Sequence, residues 1–267
     1  MDTFAGQVII ITGASEGIGR ALALALASQK ATLVLSARNA ERLESLAAEC
    51  RALGAEALAV PADLSVDAEC AGLIRRTVEA FGGIDVLVAN AGATMWCRLD
   101  RMEDLGVLEK VMAVNYFGAA YCTAAALPWL KRSRGRIVAV ASVAGLTGVP
   151  ERTGYSASKH AMIGFFDSLR IELADTGVSV TVIAPDFVVS QIHRRALGAD
   201  GAPLGETPMQ EGRIMTAERC AELIVAAMEK RQRLLITSRR GRLGRWLKVF
   251  APGLIDRIAR RAIERKF

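Results

Sequence analysis

Histidine is scarce in this chain: two occur among 267 residues, His160 and His193. Neither has a partner at metal-ligand spacing, so no metal site is expected. The five cysteines (Cys50, Cys70, Cys97, Cys122 and Cys220) are odd in number and form no CxxC pair. That usage fits free buried thiols in a reducing compartment and excludes a disulfide framework. No uninterrupted apolar run approaches the roughly 18 residues of a membrane span. Residues 1–4 run into an apolar strand with no basic and then apolar leader before it, so a secretory signal is not expected and a cytoplasmic location is.

What is present is a full-sized globular chain, 52% apolar and 23% charged, long enough to bury one large α/β core. The net charge of +6 is unevenly placed. Residues 231–267 carry twelve Lys/Arg against two Asp/Glu, while the preceding 230 residues carry 22 against 26. A mildly acidic body argues against nucleic acid as a partner; the surplus belongs to the tail.

Short β-branched runs alternate with helical stretches. Strands are expected at residues 7–12, 31–36, 55–60, 84–89, 135–141, 178–184 and 234–237. Helices are expected from the glycine turn to about 29, then at 39–53, from a cap at Ser65 to 81, at 102–131, 154–174 and 216–230, with a loop or lid at 190–214. Strands that are apolar throughout are buried on both faces. The pattern therefore predicts a doubly wound α/β fold, a parallel sheet of about seven strands with helices on both faces.

The first strand ends in Thr12-Gly13-Ala14-Ser15-Glu16-Gly17-Ile18-Gly19. Glycines here permit a tight turn and close approach to a pyrophosphate, and the following helix aims its positive end at the phosphates. At the end of the second strand, where a carboxylate would bind the ribose of NAD, the chain has Ser36-Ala37-Arg38. A guanidinium there pairs with a 2′-phosphate, so NADP(H) is the expected cofactor, with Ser15 beside the same phosphate and Asp63 near the adenine. Ser142 follows the fifth strand, and Tyr155 and Lys159 share a helix face four residues apart. A neighbouring ammonium favours the phenolate and lowers the pKa of a tyrosine, which suits it to exchange a proton with a carbonyl or alcohol oxygen.

With Asn90-Ala91-Gly92 after the fourth strand and Asn115 in the long helix, these motifs resemble the short-chain dehydrogenase/reductase family over about residues 5–238. The resemblance implies a Rossmann-type domain at 1–238 and hydride transfer between a nicotinamide and a small-molecule carbonyl or alcohol. It implies a catalytic set of Asn115, Ser142, Tyr155 and Lys159, with Asn115 holding a proton-relay water. The cofactor contacts it implies are Gly13, Ser15, Glu16, Gly17, Ile18, Gly19, Arg38, Asp63, Leu64, Asn90, Ala91, Gly92, Tyr155, Lys159, Pro185, Val188 and Ser190. It also implies a homodimer or homotetramer. Where the family usually has Pro-Gly after the sixth strand, this chain has Pro185-Asp186, which raises the question of the backbone conformation there.

Met95, Trp96, Ala144, Gly145, Leu146, Phe187 and Met209 are candidate walls of an apolar substrate pocket, and Arg152, His193, Arg194 and Arg195 are candidate solvated residues at its entrance. Residues 239–267 form a basic amphipathic helical extension, with Leu243, Trp246, Leu247 and Phe250 on one stripe. Leu254, Ile255, Ile258, Ala259, Ala262 and Ile263 form another after Pro252-Gly253, among Arg257, Arg260, Arg261 and Arg265. The extension covers a protein surface or lies on an anionic membrane. The tail and residues 154–160 are similar to the branch near the hydroxysteroid dehydrogenases and ketosphinganine reductases, which favours lipid-like substrates. The function expected is an NADP(H)-dependent oxidoreductase. The alternatives are an NADP(H)-binding sensor or scaffold without turnover, and a peripheral membrane protein acting through its tail.

Overall fold

A computed structural model describes residues 3–207, 209, 212 and 214–264, with side chains described to residue 261. Seven strands form one parallel sheet in the order β3-β2-β1-β4-β5-β6-β7. They are β1 (Val8–Thr12), β2 (Thr32–Ala37), β3 (Glu56–Pro61), β4 (Val86–Ala89), β5 (Arg136–Val140), β6 (Ser179–Ala184) and β7 (Leu234–Ile236). The helices are α1 (Gly17–Ala27), α2 (Ala40–Ala52), α3 (Asp67–Phe81), α4 (Gly106–Met112), α5 (Gly118–Ser133), α6 (Thr153–Glu172), α7 (Ala217–Glu229), α8 (Arg239–Phe250) and α9 (Pro252–Glu264).

Both faces of the sheet are covered, as apolar strands require. Ile9, Ile11, Leu33, Leu35, Val86 and Val88 pack with Leu22 and Leu26 of α1 and Ile224 and Met228 of α7. Their neighbours Ile10, Val34, Leu87, Ile137 and Ala139 point to the opposite face, against Leu73 of α3, Leu130 of α5 and Phe166 of α6. This is the period-two alternation of a strand. The order of strands reverses between β1 and β4, so a crevice opens at their carboxyl ends.

Three local expectations change. Ser65 does not cap α3: its N–H and hydroxyl both donate to Asp63 Oδ1, at 3.0 and 2.7 Å, and the flanking residue is Val66. The single helix expected at 102–131 begins only at Gly106, because the backbone N–H groups of Glu103 and Asp104 are held by the Ala199 carbonyl. It is also interrupted by one π turn, Ala113–Phe117, centred on Asn115.

In the tail, the helices α8 and α9 appear, but Leu243, Trp246, Val249 and Phe250 are exposed. The side of α8 against the body is instead set by Gly241 and Gly244, which approach Val143 and Thr147. Small residues allow this close packing; Leu243, Trp246 and Phe250 of the expected stripe face outward, while Leu247 is half-buried. Leu254 and Ile258 are exposed too, whereas Ile255 meets Gly244. Ala262, Ile263 and Arg265 of the second stripe lie outside the described side chains.

Candidate functional site

The crevice holds a cavity of about 1070 Å³. Its phosphate end is built by the turn after β1. Gly13 and Gly17 have φ of +63° and +54°, in the left-handed region that favours glycine. A Cβ on Gly13 would lie 2.7 Å from Ala91 Cα, and one on Gly19 would lie 2.3 Å from the Gly13 carbonyl oxygen. Glycine is thus what lets this turn, α1 and the end of β4 meet. No side chain caps α1, so its first-turn N–H groups remain available to an anion. That cradle fits a dinucleotide pyrophosphate.

Asn90 ties the two central strands together. Its Nδ2 donates to the carbonyls of Thr12 and Gly13, at 2.8 and 3.2 Å. Thr12 Oγ1 accepts from the N–H groups of Asn90 and Ala91 and donates to the Val88 carbonyl. Thr12 opens the glycine motif, yet only the structure reveals its hydroxyl as a joint between β1 and β4.

At the adenine end, Asp63 is held below the usual carboxylate range, chiefly by its hydrogen bonds from Ser65. Arg38 borders the cavity and is exposed. Two further guanidiniums border the same cavity: Arg42 and Arg195 both donate to Glu16 Oε2, at 3.2 and 2.7 Å. Sequence reasoning assigned Arg42 no role and left Arg195 at the substrate entrance. Three arginines against two carboxylates, Glu16 and Asp63, leave this mouth positive. A second arginine, Arg42, in the first turn of the helix that follows Arg38 is the signal the sequence offers.

Tyr155 and Lys159 are buried on α6, 8% and 3% exposed. Lys159 Nζ lies 5.9 Å from the centre of the Tyr155 ring and donates to the Val140 carbonyl at 2.9 Å. Burial, assisted by the Arg152 charge, lowers the Lys159 pKa to about 7. Ser142 Oγ accepts from the Ala144 N–H at 3.2 Å and faces the Pro185 carbonyl at 3.4 Å. Asn115 stands behind the cavity wall: its Oδ1 accepts from the Ala93 N–H at 2.7 Å, and its Nδ2 donates to the Ala93 carbonyl and to Ser158 Oγ.

Of the anticipated site residues, Gly13, Ser15, Glu16, Gly17, Ile18, Arg38, Asp63, Leu64, Asn90, Ala91, Gly92, Ser142, Tyr155, Lys159, Pro185, Val188 and Ser190 all border this one cavity. Gly19 and Asn115 do not; each supports a residue that does.

The substrate end departs from expectation. None of Met95, Trp96, Ala144, Gly145, Leu146, Phe187 and Met209 borders the cavity. Met95 and Ala144 are packed with Val107, Val111 and the Tyr155 ring in a separate apolar cluster. The lining beyond Tyr155 comes from Thr94, Val114, Ile192, His193, Leu197 and Pro203. Arg152 and His193 are buried rather than solvated, each 5% exposed. Asp186 has no left-handed backbone, so it adds no strain where the family has glycine. Its carboxylate instead accepts from Ser238 Oγ at 2.6 Å and from Arg240, whose guanidinium also lies over the Phe187 ring. Burial pushes the Asp186 carboxyl up, but these bonds outweigh it and hold the group below the carboxylate range. The first turn of α8 is thereby latched to the rim of the cavity.

The family model described as short chain dehydrogenase matches residues 7–199. The 11-beta-hydroxysteroid dehydrogenase 1A of Arabidopsis thaliana is 34% identical over 258 residues, covering 94% of this chain and 74% of the relative. A solved short chain dehydrogenase/reductase from Burkholderia phymatum, in complex with NAD, superposes with a TM-score of 0.84 at 28% identity, covering 95% of this chain and 96% of that one. An alcohol dehydrogenase from Thermococcus sibiricus, complexed with 5-hydroxy-NADP, gives a TM-score of 0.74 at 28% identity over 86% of this chain and 94% of that one.

Proposed function

The chain belongs to the short-chain dehydrogenase/reductase family, and on that premise we propose that it is an NADP(H)-dependent oxidoreductase acting on a carbonyl or alcohol of an apolar, lipid-like substrate. The observation that carries this reading is the placement of Tyr155 and Lys159, buried together on α6, on the same cavity as the glycine cradle and Ser142. The bound dinucleotide supplies or accepts the hydride.

In reduction Tyr155 donates its phenolic proton to the substrate oxygen; in oxidation it takes one back. Lys159, when charged, favours the phenolate and holds the ribose hydroxyls. Ser142 donates to the substrate oxygen and stabilises negative charge developing there. Asn115 positions the strand of backbone at Ala93 and holds the relay water toward Lys159. Pro185, Val188 and Ser190 hold the carboxamide end. Choice of NADP(H) rests on Arg38, with Arg42 beside it, where no acid follows β2.

Tyr155→Phe should lower turnover by about 10²–10⁴-fold while NADPH still binds. Normal rates in that variant would overturn the mechanism. Arg38→Ala should weaken NADPH binding at least about tenfold more than NADH binding, the scale of a lost charge-assisted contact; an equal loss for both removes the 2′-phosphate contact.

Two further parts of this reading have their own support. The exposed Phe117 of the π turn and Ile171 of α6 favour self-association through these helices. The outward apolar face of α8, set among Arg242, Arg245 and Lys248, favours the residues 239–267 as a separate segment that docks a cytoplasmic enzyme onto an anionic membrane surface.

A further inference from the structure

Arg152 is the N-terminal flanking residue of α6, three positions before Tyr155. Its guanidinium carbon lies 4.2 Å from the centre of the Tyr155 ring, 5.1 Å from Trp96 and 5.9 Å from Phe187. Among the described residues the guanidinium makes one hydrogen bond, from Nη2 to Thr94 Oγ1 at 2.5 Å, and its buried Nε has no partner. Tyr155 is the ionisable group that acts on it; no acidic group among the described residues does.

This is an unusual way to bury a permanent cation. A guanidinium carries five N–H donors and does not lose its charge in the physiological range. Removing it from water costs several kcal/mol, and contact with aromatic faces returns only about 0.5–2 kcal/mol.

The adjacent carboxylate does not offset that cost. Glu151 is held in left-handed backbone, φ +64°, with its carbonyl accepting from the Cys97 N–H and its Oε2 from Trp96 Nε1 at 2.9 Å. The turn thus directs the acid to Trp96 and the guanidinium to Tyr155. His193 is no counter-ion either: burial, and then the Arg152 charge, push its pKa down to about 4, so it is neutral. Arg152 itself lies just behind the cavity wall, but the two groups its guanidinium touches there, Thr94 and Tyr155, border the space where a substrate carbonyl would lie.

We propose that Arg152, with the Thr94 hydroxyl, is a specificity subsite for an oxyanion, a carboxylate or phosphate carried by the substrate close to its reacting carbonyl. The anion supplies the negative charge that no acidic group among the described residues brings to Arg152. Swinging of the long side chain off the Tyr155 ring presents the guanidinium to the anion and clears the face of the phenol. The substrate class is then an acidic carbonyl or hydroxy compound with an apolar body. This deepens the reductase reading and rests on it.

The test uses the full chain with NADPH and pairs of substrates that differ only in the acid. One pair is 4-carboxybenzaldehyde and its methyl ester; the other is an aliphatic ketone bearing a phosphate or the free hydroxyl. Wild-type protein should prefer at least one acidic member by about tenfold or more in kcat/KM, mainly through KM. Arg152→Met should bring that ratio near one, Arg152→Lys should restore part of it, and Thr94→Val should lower it. Because the readout is a ratio within each variant, a general loss of activity cancels. The pair that shows the preference separates carboxylate from phosphate. Equal use of acid and neutral partner by wild type, or an unchanged ratio in Arg152→Met, overturns the subsite.

If no carbonyl is reduced at all, the reductase reading fails instead. Calorimetric titration with benzoate, benzamide and inorganic phosphate then decides the subsite: anion binding lost in Arg152→Met and Thr94→Val supports it, and no anion binding to wild type overturns it. Should Arg152→Met not fold, the Arg152→Lys and Thr94→Val ratios carry the same decision.

Discussion

Lys159 shows how far burial reshapes a residue. Its pKa falls from 10.5 to about 7, so between those values the unfolded chain binds the proton that the folded chain has released. Stability must therefore rise with pH across that window; below about 7 both states are charged and the folded state bears the whole cost. Without cofactor, the unfolding free energy of wild type should gain about 2 kcal/mol from this group between pH 7 and 9. Lys159→Met should lack that gain in parallel denaturant titrations, and an identical slope in both proteins would mean that the lysine is not buried as a cation. The identity of this residue was legible in the sequence because YxxxK is a local spacing. The burial of Arg152 was not: Thr94, Trp96 and Phe187 reach it from segments remote in the chain. Glycines are legible for the opposite reason, since few other residues accept the φ of Gly13 and Gly17.

Among the elements, the strands were readable because both their faces are apolar and each is bounded by a turn. The π turn at Asn115 left no such mark, as its extra residue per turn changes no periodicity over so short a run. The stripe of α8 left its facing open between a protein surface and a membrane; what orients the helix on the body is Gly241, which cannot carry a Cβ without meeting Val143 at 2.7 Å. The latch from Asp186 to Arg240 has a measurable worth. Arg240 is 64% exposed on its side chain, so solvent screening reduces the pair to about 1 kcal/mol. Arg240→Ala should raise amide hydrogen exchange in the first turns of α8 about fivefold, with little change in α7. Uniform exchange rates in the two proteins would show that the glycine contacts alone hold the helix.

At the scale of the molecule, charge and apolar surface are segregated. The acidic body encloses the cavity, while the basic extension presents Leu243, Trp246, Val249 and Phe250 to solvent on one side. Aromatic and basic groups together suit the interface of an anionic bilayer. The full chain should co-sediment with vesicles containing anionic lipid and much less with neutral ones, and Trp246→Glu with Phe250→Glu should return it to the supernatant. A wild-type protein that ignores anionic vesicles would remove the membrane reading.

The same α8 that carries this outer face leans inward on Val143, the residue after Ser142, and on Asp186 at the cavity rim. Any docking on the outer face of α8 and any binding in the cavity would therefore share a structural part, and linkage would make a coupling between them reciprocal. If attachment of α8 tightens the hold on a substrate by some factor, substrate must tighten attachment by the same factor. An enzyme so built would linger longest on surfaces where its substrate is plentiful.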